Sequence, residues 1–114
     1  MAATKLDVVI PQSGAFRIVV TVNSGPSTLT DCIGEMQIRK TKASADVLAD
    51  VPPECFTMDD LNRQVIVQVP SSETATYDWD DLAVYDMYIV GADGNRWRLL
   101  EGLARLSKTV TREA

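Results

Sequence analysis

The sequence predicts an all-β fold: an antiparallel β-sandwich or small barrel of about seven or eight strands, immunoglobulin-like in outline. Three observations predict it. Apolar residues recur with period two in run after run, the pattern of strands that bury one face. Clusters of Gly, Pro, Asn, Asp and Ser separate these runs at the spacing of short connected strands. Only the stretch 71–77 suggests a helix, and it is long enough for one short turn.

The elements follow in order. Leu6 to Ile10 reads as a first strand closed by Pro11, which has no N–H for a ladder and suits a strand end or an edge. Gln12-Ser13-Gly14 is a turn. Phe16, Ile18, Val20 and Val22 then alternate with Arg17, Val19 and Thr21. A loop rich in Ser, Thr, Gly and Pro covers Asn23 to Asp31. Met36 and Ile38 alternate with Glu35, Gln37 and Arg39, and Val47 to Val51 ends at Pro52-Pro53. Asp59 to Arg63 is expected as a loop. Val65, Val67 and Val69 alternate with Gln64, Ile66 and Gln68. After Pro70, Ser71 is placed to cap the short turn. Tyr85, Met87 and Ile89 alternate with Val84, Asp86 and Tyr88.

Asp93-Gly94 between two apolar runs predicts a hairpin, with a type I′ turn whose two central residues take positive φ. It joins Val84–Val90 to Asn95–Leu100. Parity slips at Leu99-Leu100, which reads as a bulge or bend before a last strand near Gly102 to Lys108. The expected core is Phe16, Ile18, Val20, Met36, Ile38, Val65, Val67, Tyr85, Met87, Ile89, Trp97 and Leu99. Residues 1–114 form one β domain, with 1–4 and 109–114 as tails that are flexible or held by a partner.

Composition excludes several roles. A net charge of −5 and a pI near 4.5 disfavour nucleic acid and anionic membranes, which need clustered Lys and Arg. No apolar run is long enough to span a bilayer, and Met1 to Lys5 lacks an apolar signal segment, so synthesis and folding in a cytoplasm are expected. Cys32 and Cys55 fit no metal or redox spacing and are expected as free thiols filling apolar space. The chain has no histidine, the commonest general base and metal ligand.

The search for chemistry returns little. Asp78, Asp80 and Asp81 around Trp79, and the pair Asp59-Asp60, offer carboxylates for hydrolysis, but a solvated acidic loop is the favoured reading, since exposed acids are the common case. An EF-type calcium loop starting at Asp78 would need Gly and Glu where Ala83 and Ile89 stand. Gly-x-Ser-x-Gly and both phosphate-binding glycine motifs are missing. No catalytic residue, cofactor or metal is expected.

Charge and aromatics say more. Glu73 to Asp93 holds six acids and no base, whereas Asn95 to Arg112 holds Arg96, Arg98, Arg105, Lys108 and Arg112 against Glu101 alone. Folding the hairpin lays these halves side by side, so a pair such as Asp86 with an arginine is expected. Tyr77, Trp79, Tyr85, Tyr88 and Trp97 crowd the same region. Val19, Ile66, Val84, Tyr88 and Val90 fall on outward positions, which suggests faces covered by a second sheet or a partner. Tyr77, Trp79, Tyr88, Arg96, Arg98 and Arg105 are the candidate interface, since Trp, Tyr and Arg dominate protein hot spots.

Four stretches in order resemble small β-rich virion proteins of tailed bacteriophages, of the baseplate or tail-fibre attachment type. They are LDVVIPQSGAFRIVVTV, LTDCIGEMQIRKTKASADVLAD, VIVQVPSSETATYDWDDLAVYDMYIV and GADGNRWRLLEGLARLSKTVTR, covering residues 6 to 112. The N-terminal module of upper-baseplate proteins is similar in outline. The chain departs at Asp31, where such proteins carry Gly after Leu-Thr, and at Gln12-Ser13-Gly14, where they carry a direct Gln-Gly turn. The resemblance implies a non-enzymatic virion subunit, made in the host cytoplasm and bound to other phage structural proteins and to copies of itself. A head decoration or head-fibre protein, and a carbohydrate-binding module using Tyr77, Trp79 and Tyr88, are the alternatives.

Overall fold

A computed structural model describes residues 3–80 and 82–111. The strands are β1 (Thr4–Lys5), β2 (Val8–Pro11), β3 (Phe16–Thr21), β4 (Ile33–Arg39), β5 (Ala49–Val51), β6 (Phe56–Asp59), β7 (Gln64–Val69), β8 (Leu82–Val90) and β9 (Arg96–Ser107). Helical structure among the described residues is limited to a 3-10 turn at Pro53–Cys55 and one α turn, α1, at Ser71–Thr74. The larger sheet has the order β1-β9-β8-β4-β5, with β2 also on β9; the smaller has the order β3-β7-β6. The two sheets form a β-sandwich, and this strand order is the immunoglobulin-like pairing of a five-stranded path against a three-stranded sheet. The disulfide of antibody domains is absent from it: Cys32 precedes β4, Cys55 closes the 3-10 turn, and both thiols are free.

Alternation produces the core directly. Phe16, Ile18, Val65, Val67 and Val69 from the smaller sheet meet Met36, Ile38, Tyr85, Met87 and Ile89 from the larger, all buried. Each such side chain contributes about 1.5–3 kcal/mol by leaving water. The expected core holds except at Val20 and Trp97, which are partly buried and pack against its margin.

Several elements differ from expectation. The first expected strand, Leu6–Ile10, forms only from Val8 and runs to Pro11, and a two-residue strand, Thr4–Lys5, precedes it; both run parallel to β9, so the larger sheet is mixed. Pro11 sits in the edge position that its missing N–H allows. Phe56–Asp59, part of it expected as loop, is a strand. The cap of α1 is Pro70, not Ser71, and Thr74 turns inward so that its hydroxyl donates to the Gly14 carbonyl. Thr4 pairs with Leu100 and the Thr109 N–H donates to Gln12, so these two residues belong to the body, not to loose tails. The outer tail residues Met1, Ala2 and 112–114 lie outside the described residues.

The hairpin forms, with a different turn. The Gly94 N–H donates to the Gly91 carbonyl and the Gly91 N–H to Asn95. Only Gly94 takes positive φ, at 87°, so the loop is a three-residue connection ending in a left-handed glycine, not a type I′ turn. The parity slip is a bulge: Tyr88 faces Arg98 but Met87 faces Leu100, so Leu99 is the extra residue and β9 continues unbroken to Ser107.

Candidate protein interface

Among the described residues no element of the sandwich packs on the outer face of the larger sheet, and the register of β4, β8 and β9 decides what lies there. Cross-strand rows run Ile33–Val90–Arg96, Glu35–Tyr88–Arg98, Gln37–Asp86–Glu101 and Arg39–Val84–Leu103, followed by Leu82–Arg105. Every residue in these rows points away from the core because its strand neighbours, such as Met36, Met87 and Ala104, point into it.

Tyr88 is the centre of this face. The Arg96 guanidinium lies 4.1 Å from its ring centroid and that of Arg98 lies 5.3 Å away, within range for cation–π attraction. Arg98 Nε donates to the Tyr88 hydroxyl at 2.9 Å. That bond holds the Arg98 guanidinium above its ordinary pKa. Arg96 in turn forms a forked contact with one Glu35 oxygen, at 2.9 and 3.2 Å. Two shallow clefts of about 330 and 400 Å³ flank this stack, both lined in part by Gln37, Asp86, Tyr88 and Arg96.

The expected partnership of Asp86 with an arginine does not form. The hairpin register alone would set Leu100 opposite Asp86, and the extra residue at Leu99 moves that partner to Glu101. Opposed like charges cost stability. Here Arg98 and Lys42 each approach Glu101 at 3.6 Å and offset the repulsion.

Of the six candidate interface residues, Tyr88, Arg96, Arg98 and Arg105 share this face. Tyr77 and Trp79 do not: they are only 3% and 6% exposed. They lie between α1 and β8, where the chain is extended and Asp78 and Asp80 turn outward while the two aromatics turn in. Their rings pack at a centroid distance of 5.8 Å, and Trp79 Nε1 donates to the Ala104 carbonyl. Burial also pushes the Tyr77 hydroxyl far above its ordinary pKa. The alternation Tyr77-Asp78-Trp79-Asp80 was a legible signal for this placement.

No family model matches this chain. No curated protein matches it either.

The acidic clusters have structural partners. Lys108 bridges Asp78 at 3.1 Å and Asp80 at 3.0 Å, and these bonds hold its ammonium above the usual lysine pKa. Asp81 lies outside the described residues. Asp59 caps the turn before β7 through Asn62, whose amide lowers the Asp59 pKa. Asp60 accepts the Leu29 N–H at 2.7 Å, tying the loop after β3 to that turn. Glu35, Gln37, Lys42 and Glu101 share this face and were not among the sequence candidates. The outward alternation of β4 marked Glu35 and Gln37, but which strand neighbours β4 is not written in its own residues.

Proposed function

We propose that this chain is a non-catalytic structural subunit of a tailed-bacteriophage virion, joining proteins at the tail, baseplate or tail-fibre attachment. One observation carries the assembly reading. The outer face of the larger sheet presents a tyrosine flanked by two arginines, bordered by the partly exposed apolar residues Ile33, Leu82 and Leu103, and no described element of the chain covers it. Tyr and Arg at the centre of an apolar and polar patch are the composition of protein hot spots. The ordered sequence resemblance over residues 6–112 supports a phage particle as the setting. A head decoration protein would use the same face on a different partner. The carbohydrate-binding alternative keeps only Tyr88 of its three aromatics, since Tyr77 and Trp79 are buried.

The test is capture of virion proteins from a lysate of particle-producing cells by the purified chain. Tyr88→Ala with Arg98→Glu should weaken capture at least about 30-fold, corresponding to a loss near 2 kcal/mol. Thr57→Glu, on the outer face of the smaller sheet and away from β3, should not. Failure to capture any virion protein, or capture indifferent to the Tyr88 and Arg98 changes, would overturn the proposal.

A further inference from the structure

The smaller sheet ends in an edge that carries little of the usual protection. Native sheets blunt their edges with proline, short strands, charges or covering segments. The other exposed edges here do so. β5 has three residues, carries Asp50 and runs into Pro52-Pro53; β6 has four residues, ends in Asp59 and follows a 3-10 turn; β2 carries Pro11. β3 is longer and less protected: six residues, Phe-Arg-Ile-Val-Val-Thr, without proline or glycine and with Arg17 as its one charge.

The hydrogen-bond phase of β3 shows what this edge offers. The Val22 N–H donates to the Arg63 carbonyl directly opposite, so Val22, Val20, Ile18 and Phe16 bond to the β7 side. Arg17, Val19 and Thr21 therefore aim their N–H and C=O groups away from β7, and β3 has no second partner strand among the described residues. Their side chains are exposed, Val19 at 42%. A groove of about 160 Å³ lined by Thr4, Val20, Thr21, Val22 and Leu99 runs beside the same edge. Val20, which alternation directs to the core, stays partly exposed there.

We infer that two copies of this chain associate through antiparallel pairing of their β3 edges about a twofold axis at Val19. The sequence is self-complementary in that register. Val19 meets Val19 of the second copy, Arg17 meets Thr21, and Ile18 lies opposite Val20. The residues with free backbone groups meet one another, so each pair exchanges N–H and C=O both ways. No like charges oppose, because the one charged residue of the strand lands on threonine. A twofold contact needs this property, since each residue is presented to its own strand. The three-stranded sheets then merge into one continuous sheet, and the second copy covers Val20. This contact lies in the opposite layer from the Tyr88 face, so either contact can exist without the other.

The experiment is sedimentation equilibrium at physiological salt on the wild type, Val19→Asp, Val19→Lys and an equal mixture of the two variants, with circular dichroism to confirm folding. The wild type should have twice the 12.5 kDa chain mass. Each variant alone should be monomeric, because two like charges face across the axis. The mixture should recover the dimer mass as an Asp–Lys heterodimer, resolved by native mass spectrometry. A wild type that is monomeric to millimolar concentration, a dimer unaffected by either substitution, or single variants that disrupt the dimer without recovery on mixing would each overturn the pairing. In the last two cases the dimer would use another surface or register.

Discussion

Gly102→Ala tests how the N-terminal strand is seated. A Cβ built on Gly102 would lie 2.3 Å from the Leu6 carbonyl oxygen and 2.8 Å from its carbon. Both are backbone atoms, so no rotamer change relieves the contact. Leu6 has to retreat by about 0.7 Å merely to bring its oxygen to 3.0 Å. Three hydrogen bonds converge on this point. The Leu6 N–H donates to Glu101, the Tyr85 hydroxyl donates to the Leu6 carbonyl, and the Leu103 N–H donates to Asp7. At about 1 kcal/mol each, their loosening costs about 3 kcal/mol. The lower chain entropy of alanine in the unfolded state returns roughly 0.5 kcal/mol. The net loss of about 2.5 kcal/mol is a large share of a small domain's stability. It corresponds to a fall in Tm of roughly 10 °C. Urea unfolding followed by tryptophan fluorescence measures it. Tyr85→Phe, which removes only the hydroxyl, should cost about 1 kcal/mol and add little on top of Gly102→Ala, because both act on Leu6. A Gly102→Ala variant within 0.5 kcal/mol of wild type would show that Leu6 does not approach Gly102 as described.

Three other outcomes follow from the same structure. Trp79→Ala should cost about 3–5 kcal/mol, since the side chain fills core space and loses its bond to Ala104; a cost below 1 kcal/mol in urea would return Trp79 to the surface. Gly34→Ala should destabilise by about 1–3 kcal/mol, because its Cβ would fall among the Phe56 ring atoms, and Phe56→Leu should relieve part of that loss in a double-mutant cycle. Alkaline pH should unfold the chain through its buried tyrosines. Burial, then the nearby Asp7, pushes Tyr85 up to about 12, and burial also raises Tyr77. The folded state binds these protons more tightly than the unfolded state, so their stabilisation is complete below pH 10 and declines as pH rises from 10 toward 12. Thermal melts across that range should show the decline, and Tyr85→Phe should flatten it; a Tm independent of pH up to 12 would contradict the assignment.

Strand content and core were legible because alternation is local: each run of β3, β4, β7 and β8 declares its own inward face. Pairing is not local. The Asp93-Gly94 turn states that β9 lies on one side of β8, but nothing within Leu82–Val90 states that β4 lies on the other, so the row Glu35–Tyr88–Arg98 could not be assembled from sequence. The bulge was visible as a parity slip, yet its consequence, Glu101 opposite Asp86, depends on which residue is left unpaired. β6 escaped notice because its alternation spans only Phe56 and Met58 before Asp59. Tyr77 and Trp79 were placed at the interface because Trp and Tyr dominate hot spots. In an extended segment, however, period two separates neighbours, and the acids face water because the aromatics do not.

The two proposed contacts combine into a further consequence. Pairing at β3 occurs in the smaller sheet, so it leaves the Tyr88 face of each copy uncovered. A dimer would then carry two partner faces. Against a partner repeated on a particle, the second docking becomes intramolecular, and overall binding can strengthen by about 10²–10⁴-fold without any new contact. Against the same partner free in solution, each face binds singly. Val19→Asp should therefore leave the solution affinity of the captured partner within about twofold of wild type, yet weaken binding to a dense surface of that partner by about 100-fold or more. Titration calorimetry and surface binding kinetics on one partner preparation make the comparison. Equal losses in both formats would mean that Val19 itself touches the partner, and no loss in either would mean that the chain docks as a monomer.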